Sequence, residues 1–454
     1  MSSALAVKPE PGPSPNVARI HISSTGLFTA AFVILLLAPL AFGAVEPWAV
    51  FALEASSAVL FAAWLLRQYR GAEFRLAANP VYLPMLAFLA LVLLQCLTGI
   101  TAYRTATYSL LLLYLSYGAM ALVATQSLRR SSQLRSLVPV LCIYGGVLAF
   151  FALLQGIAPN GKLYWIWSTQ GGAIYGPYVN HNHYAGLMEM LTPFPIVLAA
   201  SRLTHGNRKI AAAVIGALMA GTIFLSGSRG GMIAFGVQMA ALLVLLRPKQ
   251  QNWRQPAVFA IFLVVMIGLL VWVGGNELTR RLESIHSEAQ QEISGGVRLT
   301  IIRDSFRMWL VHPLFGWGLG TFSTVYPQFR SFYTTFFVNQ AHNDYMQLLV
   351  ETGVTGVAIG IWLLVATFRT GLSKLANWTE NANGTLTAAA LLGVIGILVH
   401  SFLDFNLQIP ANAAMFYVLC AIAAAGSVEE SRRQRRRSQR HSLILEPTQE
   451  TPAS

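Results

Sequence analysis

Apolar residues in this chain fall in continuous runs, not in the alternating pattern of a strand. The runs lie near 26–45, 48–66, 80–98, 108–126, 136–156, 183–201, 209–226, 230–246 and 256–274. A long polar interval follows, near 275–342, and three more runs lie near 343–368, 386–403 and 409–426. Each run approaches the ~20 apolar residues that an α-helix needs to cross a bilayer, whereas a barrel strand would need ~10 alternating ones. The pattern therefore predicts an all-α polytopic membrane protein of about 12 transmembrane helices, with a large outer loop between the ninth and tenth. Residues 1–25 form a tail, 26–426 the membrane domain, and 427–454 a second tail.

Within the polar interval, ELTRRLESIHSEAQQE predicts a short exposed helix, and Ser294-Gly295-Gly296 a break. The following segment RLTIIRDSFRMWL has apolar residues at 299, 302, 306, 309 and 310. That near-helical spacing predicts a helix lying at the membrane interface, stopped at His312-Pro313. Arg303 and Arg307 share one face of it at i, i+4. GWGLG reads as a loop, since no strand precedes it.

Composition agrees with the pattern. Of 454 residues, 55% are hydrophobic and only 11% charged, against roughly 25% charged in a soluble domain. Cys96, Cys142 and Cys420 sit inside apolar runs and read as buried thiols. The net charge of +13 is spread over many loops, which argues against a nucleic-acid partner. Of the 31 Lys and Arg, 22 fall in one alternating set of loops and tails. By the positive-inside rule both termini face the cytoplasm and the polar interval faces outward. The tail RRQRRRSQR reads as an anchor at the anionic inner leaflet.

The candidate chemistry gathers near the polar interval. Arg298, Arg303, Arg307 and Arg330 carry charge that cannot be titrated away, which suits phosphate or diphosphate. His342 opens the tenth run and can take a proton from a hydroxyl. Arg229, in LSGSRGG at 225–231, stands on the outer side, where the charge rule disfavours it, and suggests a bound anion. Asn180, His181, Asn182 and His183 cluster outside the sixth run. No Cys, Asp or Glu joins them at metal-ligand spacing, so a hydrogen-bonding surface is the better reading. Tyr164, Trp165 and Trp167 read as an interfacial belt. Glu189 lies inside a run, where an acid is costly unless paired. His400 and Asp404 are spaced i, i+4 and are expected to pair with each other, structural first and site-lining second. Glu54 and Glu351 receive no role.

These features together resemble the O-antigen ligase superfamily. The resemblance rests on the roughly 12-span layout with its outer loop, on SRGG at 228–231, on GGVRLTIIRDSFRMWLVHPLFGWGLGTF at 295–322, and on His342 followed after ten residues by Gly353. It covers 176–412, and the earlier spans by layout only. Trp317, between the loop glycines, departs from the pattern. The resemblance implies a bacterial inner-membrane enzyme that transfers a glycan from an undecaprenyl-diphosphate donor to a hydroxyl acceptor in the periplasm. It implies His342 as the base and Arg229 and Arg298 on the donor diphosphate; Arg303 is read, apart from the resemblance, as assisting them. Asn180, His181, His183, Asn343, His400 and Asp404 would line the site. No cofactor, metal or nucleotide sugar is implied. The acceptor, whether lipid A core, a growing glycan or a protein, separates the ligase branch from the polymerase and protein O-oligosaccharyltransferase branches. A transporter is the competing class, because about 12 spans is also a transporter layout.

Overall fold

The computed structural model describes residues 23–246 and 295–426, apart from 72, 73, 75, 129, 130, 170, 171, 335 and 336. The helices are α1 (Ser24–Leu37), α2 (Pro47–Tyr69), α3 (Tyr82–Thr98), α4 (Arg104–Ser127), α5 (Ser131–Ile157), α6 (His181–Leu191) and α7 (Pro193–Ala200). They continue with α8 (Gly206–Leu225), α9 (Arg229–Leu245), α10 (Gly295–Val311), α11 (Asp344–Leu372), α12 (Ala382–His400) and α13 (Pro410–Ala424). A two-stranded hairpin pairs Lys162–Leu163 with Trp167–Ser168.

Among the described residues six helices, α2, α4, α5, α8, α11 and α12, are long and apolar enough to cross a membrane. Four more, α1, α3, α9 and α13, are apolar but shorter. The chain is thus an all-α, multi-pass membrane protein. The run near 256–274 and the short helix expected near 277–292 lie outside the described residues. Cys96, Cys142 and Cys420 are buried and free.

Local chemistry sets the helix starts. Asn180, Ser228, Asn343 and Asn381 cap α6, α9, α11 and α12, each side chain accepting a hydrogen bond from the backbone of its first turn. Pro47 opens α2, where its missing N–H is no loss. The most enclosed of the six long helices is α12, which packs against α6, α7, α9 and α13.

Three differences from the sequence reading have physical causes. The sixth run is two helices that meet at Thr192, because Pro193 lacks the N–H that would bond the Glu189 carbonyl. Gln238 takes that carbonyl instead, its Nε2 donating to Glu189 O at 2.7 Å and to Leu392 O at 2.9 Å. The second is in α10, which forms and stops at His312-Pro313 as expected but also turns a partly polar face inward. Ile301, Asp304, Ser305 and Met308 are inside, while Leu299, Phe306 and Leu310 are exposed. Asp304 is drawn inward because its Oδ2 accepts from both the backbone N and the Oγ of Ser331, each at 2.9 Å.

The third lies in α11, which is broken at Gly353 (φ 63°, ψ −169°), a conformation essentially confined to glycine. Gly353 is about 14 Å along the helix from Asp344 at the α-helical rise. The loop after α10 fills the break. Trp317 N and Gly318 N donate to Val350 O and Glu351 O at 3.0 Å, and Val354 N donates to Pro313 O at 2.9 Å. Gln95 bridges both partners, its Nε2 donating to Phe315 O at 2.7 Å and Glu351 O at 2.9 Å while its Oε1 accepts from Leu319 N at 3.1 Å. Glu351, which had no role from sequence, accepts from Gln347 Nε2 at 2.8 Å and Phe322 N at 3.2 Å. A Cβ on Gly353 would run into the Leu314 carbonyl. Irregular backbone survives at such depth only when protein groups satisfy it, and here they do.

Candidate functional site

The site forms where the start of α11 meets the 400–408 segment after α12. Asp344 N donates to Ser401 O at 2.9 Å, and Asn343 Nδ2 to Phe402 O at 2.9 Å. The Asp344 carboxylate accepts from Ser401 Oγ at 2.8 Å and Leu407 N at 3.1 Å. Just before, Ala341 N donates to Gln347 Oε1 at 2.7 Å. The chain is therefore pinned on both sides of His342, which is forced into the left-handed region at φ 51°. That conformation costs a non-glycine residue roughly 1–2 kcal/mol. The same pinning aims its imidazole at the 400–408 segment.

There His342 Nδ1 lies 3.5 Å from Asp404 Oδ1, longer than a well-made hydrogen bond but close enough for the carboxylate to orient the ring. Asp404 is buried, yet its carboxyl is held below the usual carboxylate range. Burial opposes ionisation, but contact with His342 and the charges of His183, His342 and Arg298 outweigh it. Phe405 lies edge-on between two imidazoles, with ring centroids 4.9 Å from both His342 and His183. Arg298 reaches the segment from α10, its Nη1 donating to Leu403 O at 2.9 Å. His342, Asp404, His183 and Arg298 thus come from four parts of the chain to one place.

Beneath them lies a buried pair. His400 Nδ1 is 2.8 Å from Glu189 Oε1, and both side chains are enclosed. The expected His400–Asp404 side-chain pair is not formed. Their i, i+4 relation survives only as a backbone bond, Asp404 N to His400 O at 3.1 Å. α12 ends at His400, so the two side chains leave in different directions, one into the bundle and one toward His342. His400 Nε2 is 3.5 Å from Oγ of Ser228, the cap of α9. Arg229 is the next residue, exposed at the first position of that helix.

The other expected site residues separate into groups. Asn180 caps α6, and His181 Nδ1 lies 2.7 Å from Ser226 O, which ties α6 to the α8–α9 turn. Asn343 caps α11 and holds Phe402. Arg303 is exposed on α10 and no contact brings it to His342. Arg307 lies 3.7 Å from Asp304, and Arg330 acts on Tyr326, away from the site. Sequence reasoning missed the His342–Asp404 and His400–Glu189 pairings and the place of Phe405. One signal was available: a buried acid and a buried imidazole in separate apolar runs are each too costly alone, and so predict each other.

No curated protein sequence matches the chain. Residues 214–361 match the O-antigen ligase family profile. That stretch holds Arg229, Arg298, Arg303, His342 and Gly353, while Asp404, His400, His183 and Glu189 lie outside it. Over this segment, about a third of the chain, the protein is similar to the O-antigen ligase family.

Proposed function

We propose that this protein is a membrane glycosyltransferase that moves a glycan from an undecaprenyl-diphosphate donor to a hydroxyl acceptor on the outer side of the bacterial cytoplasmic membrane. One observation carries the reading: His342 is turned toward Asp404 on the same segment that Arg298 grips. A base, a carboxylate to orient it and a fixed cation then border one space.

In this mechanism the acceptor hydroxyl gives its proton to His342, whose Nδ1 faces Asp404. The acceptor oxygen bonds to the anomeric carbon as the bond from that carbon to the diphosphate oxygen breaks. The bonding pair stays on the diphosphate, where Arg298 and Arg229 stabilise the growing negative charge. Arg303, exposed further along α10, is a secondary contact to the same group. Asp404, ionised throughout, stabilises the imidazolium that forms. The spent carrier keeps its lipid in the bilayer, which places the reaction at the membrane surface. The distribution of Lys and Arg supports about 12 spans, cytoplasmic termini and an outward 275–342 segment.

The test is deletion of the gene in its native host, with restoration by wild type or by His342→Ala. Accumulation of undecaprenyl-linked glycan with loss of one surface glycan, rescued by wild type alone, supports the reading. The glycan that is lost names the acceptor class, and with it the branch. Rescue by the mutant removes His342 as base. Flux of the intact donor through proteoliposomes without bond formation favours the transporter instead.

A further inference from the structure

The Glu189–His400 pair has no place in that mechanism. A buried ion pair is weak evidence for stability, since apolar residues of similar volume often serve as well. What surrounds this pair is therefore informative. The first turn of α9 lies directly on it. A Cβ at Gly230 would come within 2.5 Å of the His400 ring, and one at Gly231 within 3.0 Å of Glu189 Oε1. The turn can sit there only because both positions lack side chains. Arg229 lies between Ser228, which faces His400, and Gly230, which covers it. The SRGG motif thus amounts to one arginine on a turn seated against a buried acid–imidazole pair.

The opposite side of the pair leads to the base. His400 is followed by Ser401, which holds Asp344 through both its carbonyl and its hydroxyl. Asp344 is two residues after His342. The same segment continues to Leu403, which accepts from Arg298, and to Asp404, which faces His342. Glu189 is fixed from a third direction, because Gln238 of α9 takes the carbonyl freed by Pro193. One rigid contact therefore relates the Arg229 turn to both Arg298 and His342.

We propose that Glu189 and His400 are a positioning pair, which sets Arg229 at the distance from Arg298 and His342 needed to clamp one diphosphate. The proposal rests on the reading of Arg229 as a donor contact. It separates these residues from ordinary core, because their loss should be felt at the donor and through Arg229.

The test uses the full chain purified in detergent. Inorganic pyrophosphate serves as the binding probe, and the host's lipid-linked glycan as donor in the transfer assay. The variants are Glu189→Gln, Gly230→Ala, Arg229→Ala and each of the first two combined with Arg229→Ala. Glu189→Gln keeps the volume and replaces the carboxyl group that meets His400 Nδ1. Gly230→Ala keeps the pair and displaces the turn. Both should weaken pyrophosphate binding and raise the donor KM on the order of 10- to 100-fold, as sub-ångström to 1 Å misplacement of a clamp does. The acceptor KM should stay at its wild-type value. In the Arg229→Ala background neither should cost anything more.

Equal losses with and without Arg229, or an equal rise in the acceptor KM, would overturn the proposal and make the pair ordinary core. So would wild-type pyrophosphate binding by Gly230→Ala. If Glu189→Gln does not accumulate in the membrane, Gly230→Ala carries the same comparison. The failure of the functional reading looks different. Transfer by His342→Ala would remove that reading, while the coupling between Gly230 and Arg229 in pyrophosphate binding would still judge the positioning.

Discussion

The break in α11 and the start of α11 are nine residues apart and are built in opposite ways. At the break, Gln95 makes three hydrogen bonds and Glu351 at least two, and the inserted backbone at 317, 318 and 354 is paired. At the start, polar atoms are enclosed without hydrogen-bond partners: His342 Nδ1, Asp404 Oδ2 and His183 Nε2. An unmade bond to a buried polar group costs about 1–3 kcal/mol, so a protein keeps such groups only where something offsets the cost. The satisfied region is scaffold that holds the unsatisfied one in place. Each mutation below should fall on one side of that division.

The largest effect is expected at His342, the proposed base. His342→Ala should lower transfer by about 10²- to 10⁴-fold, the usual worth of a general base, with normal accumulation in the membrane. A quantitative transfer assay beside an immunoblot reads both. Next comes the scaffold. Gly353→Ala places a Cβ against the Leu314 carbonyl in a backbone region that L-residues avoid. It should destabilise by several kcal/mol, about 1–3 of it from backbone strain alone. Detergent-solubilised thermal melts should show this, and an unchanged melt would mean that the loop is not seated in the break. Gln95→Leu removes three hydrogen bonds and should cost about 2–4 kcal/mol of stability, with the activity of the surviving folded fraction unchanged.

Asp404 sharpens the comparison, because it should affect catalysis and acid stability separately. Its folded pKa lies below the ordinary 3.8. Its stabilisation is therefore complete above the unfolded pKa and is lost as pH falls through the folded value. Asp404→Asn should flatten the melting temperature against pH only below about pH 4. At neutral pH the same variant should lose activity, because the amide cannot stabilise the imidazolium. The smallest effect is expected at Arg303, which is exposed. Arg303→Ala should change transfer by only a few fold, about 1 kcal/mol or less, the scale of an exposed charge. A loss as large as that of His342→Ala would make Arg303 a full member of the clamp beside Arg298.

Much of the fold was legible because its signals are local. Runs of about 20 apolar residues, Asn and Ser caps, and His312-Pro313 each act within a turn or two of chain. The interruption at Thr192 was legible in principle from Pro193 and Pro195, yet the run reads as one span because hydropathy does not register a missing donor. The α10 helix was legible from its apolar spacing, but the inward turn of Asp304 was not. Asp304 is drawn in by Ser331, 27 positions later, against the local apolar pattern.

His342 and the arginines stood out in sequence because ionisable groups are rare in a chain that is 11% charged. Scarcity marks a candidate but does not pair it. His400 and Asp404 are four residues apart and seemed natural partners. The helix ends between them, and each found a partner far away in sequence: Glu189 for one, His342 for the other.

By itself, the sequence determined that this is a helical membrane protein, where most helices start and stop, and which side chains can carry charge. Those properties follow from transfer of side chains out of water and from hydrogen bonds within one helical turn. Only the tertiary structure decided which acid faces which imidazole, why two glycines must follow Arg229, and that Gly353 opens α11 for a loop. Such pairings depend on distances between elements that lie up to 211 residues apart, as in Glu189–His400, and no local pattern contains them.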